Sequence, residues 1–421
     1  MKSESESATW SPPAAPLPKV GRRRKILLAL LVWLLAFLVY WGTPYLFNHA
    51  TTPNVAYFNH LAAAFLQGQL YLSAPPDTLD LTFYRGAWYV PFPPLPALLM
   101  LPWVALMGLE TLNTVLFAAL FGAFNVALAL LILVGLTQAG WTQLGMGDTL
   151  WLTLLFGLGS VHWYMATIGS VWFVAQICTV TFVALAVWLA VERASPWLVG
   201  AALALALTAR PTVIFTWPLL LGIAATHLTA HQQRLSWSWV SRWTLKSAVP
   251  IVVVLGLLLL YNMARFGNPL DFGYLTENVA DKLAPDLRRY GQFHLHYLPK
   301  NVWAMWLAGP QWDGERNVWL PDPEGMSLLL TTPALIYLMR ARQRAWVVAG
   351  GWVAFGLLLI PLLLYYNTGW WQFGYRFSLD FMIPVMVLLA FAARTRVTWS
   401  MRALIFMGVL VNLYGVLWWH R

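Results

Sequence analysis

The sequence predicts an all-α, polytopic integral membrane protein with about 11 transmembrane helices and a large first outer loop. The first observation is composition: 60% of the 421 residues are hydrophobic and 10% are charged, whereas a soluble domain carries about 25% charged residues. The second is a series of apolar runs of membrane-spanning length. The third is that the basic residues cluster in short segments between those runs, as topology signals do.

The net charge of +10 does not indicate a nucleic-acid partner. The basic residues lie between apolar segments, and many of the 26 Trp residues lie at segment ends, which is typical of an aromatic belt. The single cysteine, Cys178, lies in an apolar run and is expected to be a small buried side chain. We therefore expect membrane lipids as partners and no nucleic acid.

The N-terminus supplies the first topology signal. Residues 1–25 are expected to form a disordered cytoplasmic segment, because they are rich in Ser, Glu and Pro and end in the basic block at residues 22–25. Residues 26–421 then form a single multi-pass membrane domain. Its first apolar run, residues 26–47, is too long for a signal peptide and is expected to remain as a span.

The remaining spans follow from hydropathy. They are predicted at residues 93–108, 112–136, 150–166, 171–191, 197–228, 249–264, 327–339, 346–366, 381–393 and 403–419. The run at 197–228 contains Arg210-Pro211, so it is either one kinked span or two half-helices. The odd total places the N-terminus inside and the C-terminus outside the cytoplasmic (inner) membrane.

Three outer loops result, at residues 48–92, 265–326 and 367–380, and most of the 16 acidic residues fall within them. Asp and Glu contribute little to orientation, so this bias indicates chemistry or solvation on one side. In the first loop, residues 57–72 have apolar side chains at helical spacing, which predicts an amphipathic helix on the membrane surface.

Two carboxylates of the first loop are the candidate catalytic residues. Asp77 follows two prolines, where a solvated turn is the simpler interpretation, whereas Asp80 lies among apolar neighbours. A charge in such a setting is costly and needs a reason. A carboxylate at a membrane cleft can act as a general base or can hold a divalent cation. No spacing of His or Cys indicates a metal site, and no nucleotide-binding or Ser-His-Asp signature is present.

Arg376 is the candidate for binding a phosphate group, since it lies beside the start of a late span. It could equally extend toward the interface, as Arg often does. Tyr375 could stack on a sugar or belong to the aromatic belt. Four further residues complete the predicted substrate-binding set: Arg85 in an exposed turn, Arg265 at the start of the second outer loop, and His60 and Asn59 in the first.

Three stretches resemble the GT-C superfamily of polytopic membrane glycosyltransferases, which includes the protein mannosyltransferases. They are LAAAFLQGQLY (61–71) followed by DLTFYRGAWYVPFPPLPA (80–97), then RFGNPLDFGY (265–274), and FGYRFSLDFMIP (373–384). The resemblance implies inverting transfer of a hexosyl or pentosyl group from a polyprenyl-phosphate donor to an acceptor at the extracytoplasmic face. No cofactor is expected, with a divalent cation as the alternative.

The chain departs from the family pattern in one respect. Such enzymes carry an acid early in the first loop, but residues 42–76 contain no Asp or Glu. Either Asp77 or Asp80 takes the role of base, or the chain has lost it. A transporter or flippase for a lipid-linked or small polar substrate is the alternative, although no internal repeat supports it. A non-catalytic membrane protein is the third interpretation.

Overall fold

The chain is helical from Arg22 onward and contains two short β-hairpins. The computed structural model describes residues 21–421, so residues 1–20 of the segment predicted to be disordered lie outside the described residues. Residues 22–25, which were included in that prediction, are helical instead. The α-helices are α1 (Arg22–Leu46), α2 (Tyr57–Leu66), α3 (Leu95–Met107), α4 (Thr114–Gln138), α5 (Met146–Gly157), α6 (His162–Ala166), α7 (Val171–Val191), α8 (Pro196–Leu207), α9 (Trp217–Ala230), α10 (Trp237–Phe266), α11 (Ala284–Tyr290), α12 (Leu298–Val302), α13 (Leu328–Thr331), α14 (Trp346–Leu364), α15 (Leu379–Ala393) and α16 (Trp399–His420).

Shorter elements connect these helices. The 3₁₀ segments are Leu109–Thr111, Pro211–Thr216, Tyr274–Thr276, Leu295–Tyr297, Pro333–Arg340 and Arg376–Ser378, and a π-helical turn covers Trp303–Leu307. Strands β1 (Thr82–Tyr84) and β2 (Ala87–Tyr89) form one antiparallel hairpin, and β3 (Gln311–Asp313) and β4 (Val318–Leu320) form the other. The sequence analysis did not predict either hairpin.

Eight helical segments within residues 21–421 are long and apolar enough to cross a membrane. They are Arg22–Leu46, Thr114–Gln138, Val171–Val191, Pro211–Ala230, Trp237–Phe266, Trp346–Leu364, Arg376–Ala393 and Trp399–His420. The all-α, polytopic membrane class is confirmed, and the chain is an integral membrane protein. The predicted total of 11 spans is not matched by these eight segments.

Hydrogen bonds and ion pairs between distant segments define two ends of the helix bundle. At one end, Lys25 pairs with Glu192 at 3.3 Å, and Arg402 pairs with Asp148 at 2.9 Å. We call this the basic end. At the opposite end, which we call the loop end, His420 of α16 hydrogen-bonds Thr167 at 2.9 Å. The first and last described helices therefore begin at the basic end and finish at the loop end.

The predicted span at residues 93–108 is wrong. Helix α3 has 13 residues, and it begins at the loop end, where Leu95 N donates to the Thr208 carbonyl at 2.8 Å. The connector after it stays at the loop end, because Asn113 donates from Nδ2 to the Ala50 carbonyl at 2.6 Å, just beyond α1. Alternating passages would have placed that connector at the basic end. One face of α3 packs on α2, with Ala97 and Met100 buried, whereas Leu106 and Met107 are exposed.

The run at residues 197–228 makes two passages. Helix α8 leads from the basic end to the loop end, where the Thr208 carbonyl accepts from Leu95 N at 2.8 Å. Helix α9 returns, and His227 hydrogen-bonds the Val191 carbonyl at 2.9 Å at the basic end. The break falls at Pro211, which has no N–H to donate. This additional passage compensates for the missing one at α3.

Two other predicted spans are not continuous α-helices. Residues 150–166 are divided into α5 and α6 by a turn, and residues 327–339 form α13 and the 3₁₀ segment Pro333–Arg340. Helix α10, by contrast, is longer than predicted: it begins at Trp237, twelve residues before the predicted start at residue 249. These are boundaries that hydropathy alone does not define, since turns buried among helices are as apolar as the helices.

The first and second outer loops form one unit at the loop end. Thr82 of β1 forms an isolated β-bridge with Glu277, and its Oγ1 donates to the Gly273 carbonyl at 2.6 Å. Helix α2 is packed into this unit: Tyr57, Phe58 and Leu61 are buried. The predicted helix is present but ends at Leu66 rather than residue 72, and its position relative to the membrane surface stays a prediction.

Candidate active site

A cavity of about 770 Å³ opens at the loop end between the long second loop and the ends of α8 and α14. Most of its wall is apolar; the contributing side chains include Phe92, Ala209, Leu270, Phe272, Phe293 and Leu362. Its charged groups are the guanidiniums of Arg210 and Arg376 and the carboxylate of Asp271, and its other polar side chains include Asn268, Thr276 and Gln292. Binding pockets commonly combine an apolar lining with a few placed polar groups.

Arg376 is held rigidly at the wall of this cavity. It is buried, and it opens the 3₁₀ turn that leads into α15. Its Nε donates to the Gly369 carbonyl at 2.9 Å, and its Nη1 donates to Oε1 of Gln176 at 3.2 Å. Within residues 21–421, its Nη2 makes no hydrogen bond and no acid lies within ion-pair distance. The side chain is thus oriented by neutral partners and keeps an unneutralised charge at the cavity.

Arg210 faces the same cavity but is neutralised. Its Nη2 lies 2.8 Å from Oδ2 of Asp380, and its Nε donates to the same oxygen at 3.0 Å. The other oxygen of Asp380 accepts from Gln176 at 3.2 Å, so one polar network joins both arginines. Asp380 was expected in a solvated outer loop; it is instead a buried residue of α15. The positively charged network lies at the ends of buried helices rather than in water.

Asp80 approaches this cavity from the first loop. Its Oδ2 accepts a hydrogen bond from Nε1 of Trp172, at 2.9 Å, and Trp172 lines the cavity. Its backbone is left-handed, with φ of 57°, and its N–H donates to the Asn278 carbonyl at 2.8 Å. Asp tolerates this conformation better than most L-residues. The second loop therefore fixes the position of the carboxylate.

Burial raises the pKa of Asp80 to about 6, although the Trp172 hydrogen bond and the charge of Arg376 both act to lower it. Glu277, which bridges to Thr82, is buried, and its Oε2 has no partner among the described residues. Burial, and then the charge of Asp80, raise the pKa of Glu277 well above its usual range. These shifts favour the protonated form of Glu277 and leave Asp80 the more readily ionised of the two.

Three predicted residues lie away from the cavity lining. Asp77 accepts from Leu79 N at 2.8 Å in a local turn, as its simpler interpretation suggested. Tyr375 is fully buried and donates to the Leu362 carbonyl at 3.4 Å. Arg85 is exposed at the turn of the first hairpin, with its guanidinium 5.1 Å from the Tyr84 ring.

The other three predicted residues belong to the packing of the first loop. Arg265 is buried and donates to the Val90 carbonyl at 2.7 Å and to Asn262 at 2.7 Å, which ties α10 to the first loop. Asn59 is buried on α2, where its Oδ1 has no partner among the described residues. His60 is half-buried, and burial lowers its pKa. None of them lines the cavity.

Sequence reasoning did not place Trp172, Gln176 and Glu277 at the site. Trp172 and Gln176 belong to α7, a span with no charged residue, so nothing in the sequence distinguished them from other residues of that helix. Arg210 carried a signal, since an ionisable group in an apolar run is a functional candidate. In the described part of the chain, no group of three or more His, Cys, Asp or Glu side chains is arranged to hold a divalent cation.

Comparisons with known proteins give one structural similarity to report. Scans against protein-family models and against curated proteins gave no match. The chain is similar to the crystal structure of ArnT from Cupriavidus metallidurans, which has undecaprenyl phosphate bound. Sequence identity is 12%, the TM-score is 0.47, and the alignment covers 87% of this chain and 58% of that one. This chain thus spans less than two thirds of that protein, and the similarity assigns no residue and no activity here.

Proposed function

We propose that this protein is a membrane glycosyltransferase of the GT-C type that moves a sugar from a polyprenyl-phosphate donor to an acceptor. The observation that carries the proposal is one cavity in which apolar walls surround the guanidinium of Arg376. A polyprenyl phosphate has the same two parts: an apolar chain and an anionic head. Arg is suited to that head because its planar N–H groups match phosphate geometry.

The chemistry follows from the charges at the cavity. When the glycosidic bond to phosphate breaks, negative charge develops on the departing phosphate, and a fixed cation stabilises it. The unneutralised Arg376 serves this role, while Arg210 contributes a weaker field because Asp380 balances it. Asp80 accepts the proton of the acceptor hydroxyl as the sugar is attacked from the opposite side.

The orientation of the site follows from the basic residues. The block at residues 22–25, together with Arg394 and Arg402, lies at the basic end, and positive charges remain on the cytoplasmic side of a membrane. We therefore place the basic end in the cytoplasm and the cavity at the extracytoplasmic face of the inner membrane. The N-terminus is then inside and the C-terminus outside.

The test is sugar transfer by the purified protein in proteoliposomes supplied with a radiolabelled polyprenyl-phosphate sugar. We expect Asp80→Asn to lower the turnover rate by about 100-fold or more, because the amide can still accept from Trp172 but cannot take up a proton. Asp77→Asn is the matched control, since its side chain serves only a local turn, and we expect near-normal turnover. Full activity of Asp80→Asn would remove the proposed base.

Arg376→Lys tests the phosphate contact. One ammonium cannot replace the bonds to Gly369 and Gln176 and also reach the cavity, so we expect turnover to fall by about 100-fold. Arg85→Lys, at an exposed turn, is the control and should behave like the wild type. Donor hydrolysis or transfer that is unchanged in Arg376→Lys, or vectorial uptake of the donor without sugar release, would contradict the proposal and favour a transporter.

A further inference from the structure

A second cavity, of about 530 Å³, lies at the basic end, on the other side of the protein from the candidate active site. It is formed where α7, α8 and α9 meet the start of α10. Its polar and aromatic lining consists of Arg193, His227, His231, Gln233, Trp239 and Trp243. The rest of the wall is Ala, Pro and aliphatic side chains.

The lining is basic and contains no acid. Glu192 is adjacent in sequence to Arg193, but its carboxylate is paired with Lys25 at 3.3 Å. Arg193 and His231 are exposed, and neither forms an ion pair with an acid among the described residues. A guanidinium that has no ion-pair partner and lies beside imidazole and indole side chains favours binding of an anion. Because the lining contains no carboxylate, a cation would find no group to pair with in this cavity.

The backbone at Arg193 limits which substitution can test the site. Arg193 has φ of 62°, in the left-handed region that glycine occupies at no steric cost and that Asn tolerates better than most L-residues.

The cavity lies at the level of lipid headgroups. Trp197 at the start of α8 is 46% exposed, and Trp237 at the start of α10 is 87% exposed. Exposed indoles at the ends of spanning helices mark the interface between hydrocarbon and water. A phosphate that reaches Arg193 would therefore enter with its glycerol and acyl chains along Trp239, Trp243 and the aliphatic wall.

We propose that this cavity binds the phosphate of an anionic phospholipid from the leaflet at the basic end. Arg193 and His231 contact the phosphate, and the indoles of Trp239 and Trp243 pack against the glycerol and the first acyl carbons. Zwitterionic lipids carry the same phosphate, but their ammonium group meets no carboxylate in the lining, so anionic headgroups are preferred. The proposal does not depend on the function assigned to the other cavity.

The experiment uses the full-length protein purified in a neutral detergent and titrated with three probes. These are short-chain phosphatidylglycerol, short-chain phosphatidylcholine and inorganic phosphate, with binding followed by thermophoresis. The test variants are Arg193→Asn, whose residue tolerates a left-handed backbone, and His231→Gln. Arg234→Gln is the matched control. Arg234 is an exposed residue of the connector that also contains His231, and it does not line the cavity.

We expect saturable binding of phosphatidylglycerol to the wild type, at least fivefold weaker binding of phosphatidylcholine, and about tenfold weaker phosphatidylglycerol binding in Arg193→Asn. His231→Gln should weaken it less, and Arg234→Gln should leave it unchanged. An equal loss in Arg234→Gln, or none in either test variant, would overturn the site. If inorganic phosphate binds as tightly as the lipid and with the same dependence on Arg193, the ligand is a soluble phosphate and the proposal of a phospholipid is wrong.

Discussion

At the scale of single residues, the carboxyl of Asp80 has three properties that suit a proton acceptor. It is oriented by Trp172, it lies within the field of Arg376, and its pKa is raised to about 6. A base whose pKa is near the working pH combines a useful ionised fraction with a strong affinity for the proton. The raised pKa of Glu277 favours its protonated form, and Asp77 is the neighbouring carboxylate whose charge raises the pKa of Asp80 further.

The pH profile of transfer follows from these pKa values. A base must be ionised, so we expect turnover to fall about tenfold per pH unit below about 6 and to level off above it. Glu277→Gln should leave the midpoint near 6, because the raised pKa of Glu277 already favours its neutral form. The check is the pH dependence of the turnover rate for both proteins. A wild-type profile that is flat between pH 5 and 7 would contradict the role of Asp80.

The ion pair between Arg210 and Asp380 predicts an asymmetry in stability. The Asp380 side chain is 1% exposed, whereas that of Arg210 is 21% exposed and faces the cavity. Arg210→Gln leaves a buried carboxylate without its partner, which costs about 3 kcal/mol or more. Asp380→Asn leaves an arginine that can still be hydrated in the cavity, so we expect a smaller loss.

The measurement is the thermal unfolding temperature of each variant in detergent, with the double variant Arg210→Gln/Asp380→Asn as control. The double variant should be more stable than Arg210→Gln alone, because no uncompensated charge remains. Equal destabilisation by the two single variants would show that the pair is not buried in the way described.

At the scale of helices, glycine allows the closest crossing between α8 and α10. A Cβ on Gly200 would collide with the backbone of Ser247, whereas one on Gly256, in α10, would meet open space. Small residues at such crossings let two backbones approach, which is how helices gain contact area in a membrane. Even one added methyl group would therefore force the two helices apart.

Gly200→Ala should destabilise the protein by about 1–3 kcal/mol, seen as a lower unfolding temperature in detergent. Gly256→Ala should be neutral or slightly stabilising, because alanine is the better helix former and nothing opposes its methyl group. The pair of variants separates a crossing constraint from the general effect of replacing glycine. Similar unfolding temperatures for the two variants would count against the close packing of α8 on α10.

At the scale of the whole molecule, the placement of α3 at the loop end decides which face residues 109–113 occupy. The side of the membrane on which these residues lie can be measured with single cysteines in a Cys178→Ser background, introduced by Arg85→Cys, Glu110→Cys and Arg234→Cys. We expect an impermeant maleimide to label positions 85 and 110 from the same side of a sealed membrane, and position 234 only after permeabilisation. Labelling of position 110 together with 234 would restore α3 as a spanning helix.

The sequence by itself determined the membrane class, the segments that flank most spans, and the functional candidacy of Asp80 and Arg376. Composition and apolar run length decide these, because the hydrocarbon layer requires about 20 apolar residues per spanning helix. A carboxylate or guanidinium among apolar neighbours is conspicuous for the same reason: its burial is costly. Hydropathy could not show that α3 folds back, since a helix packed on protein and one packed on lipid have similar composition.

Only the tertiary structure decided which polar groups share one cavity. Residues 172, 210 and 376 line the cavity, and residue 80 is joined to it by its hydrogen bond to Trp172. The four residues come from separate segments, and their proximity depends on the order in which helices pack and on the pairing of Thr82 with Glu277. The same packing buries Arg265, Tyr375 and Asn59 away from the cavity lining, although each had been predicted to bind substrate. Periodicity and local composition report the environment of a residue along the chain, but distances across the bundle are set by contacts between segments far apart in sequence.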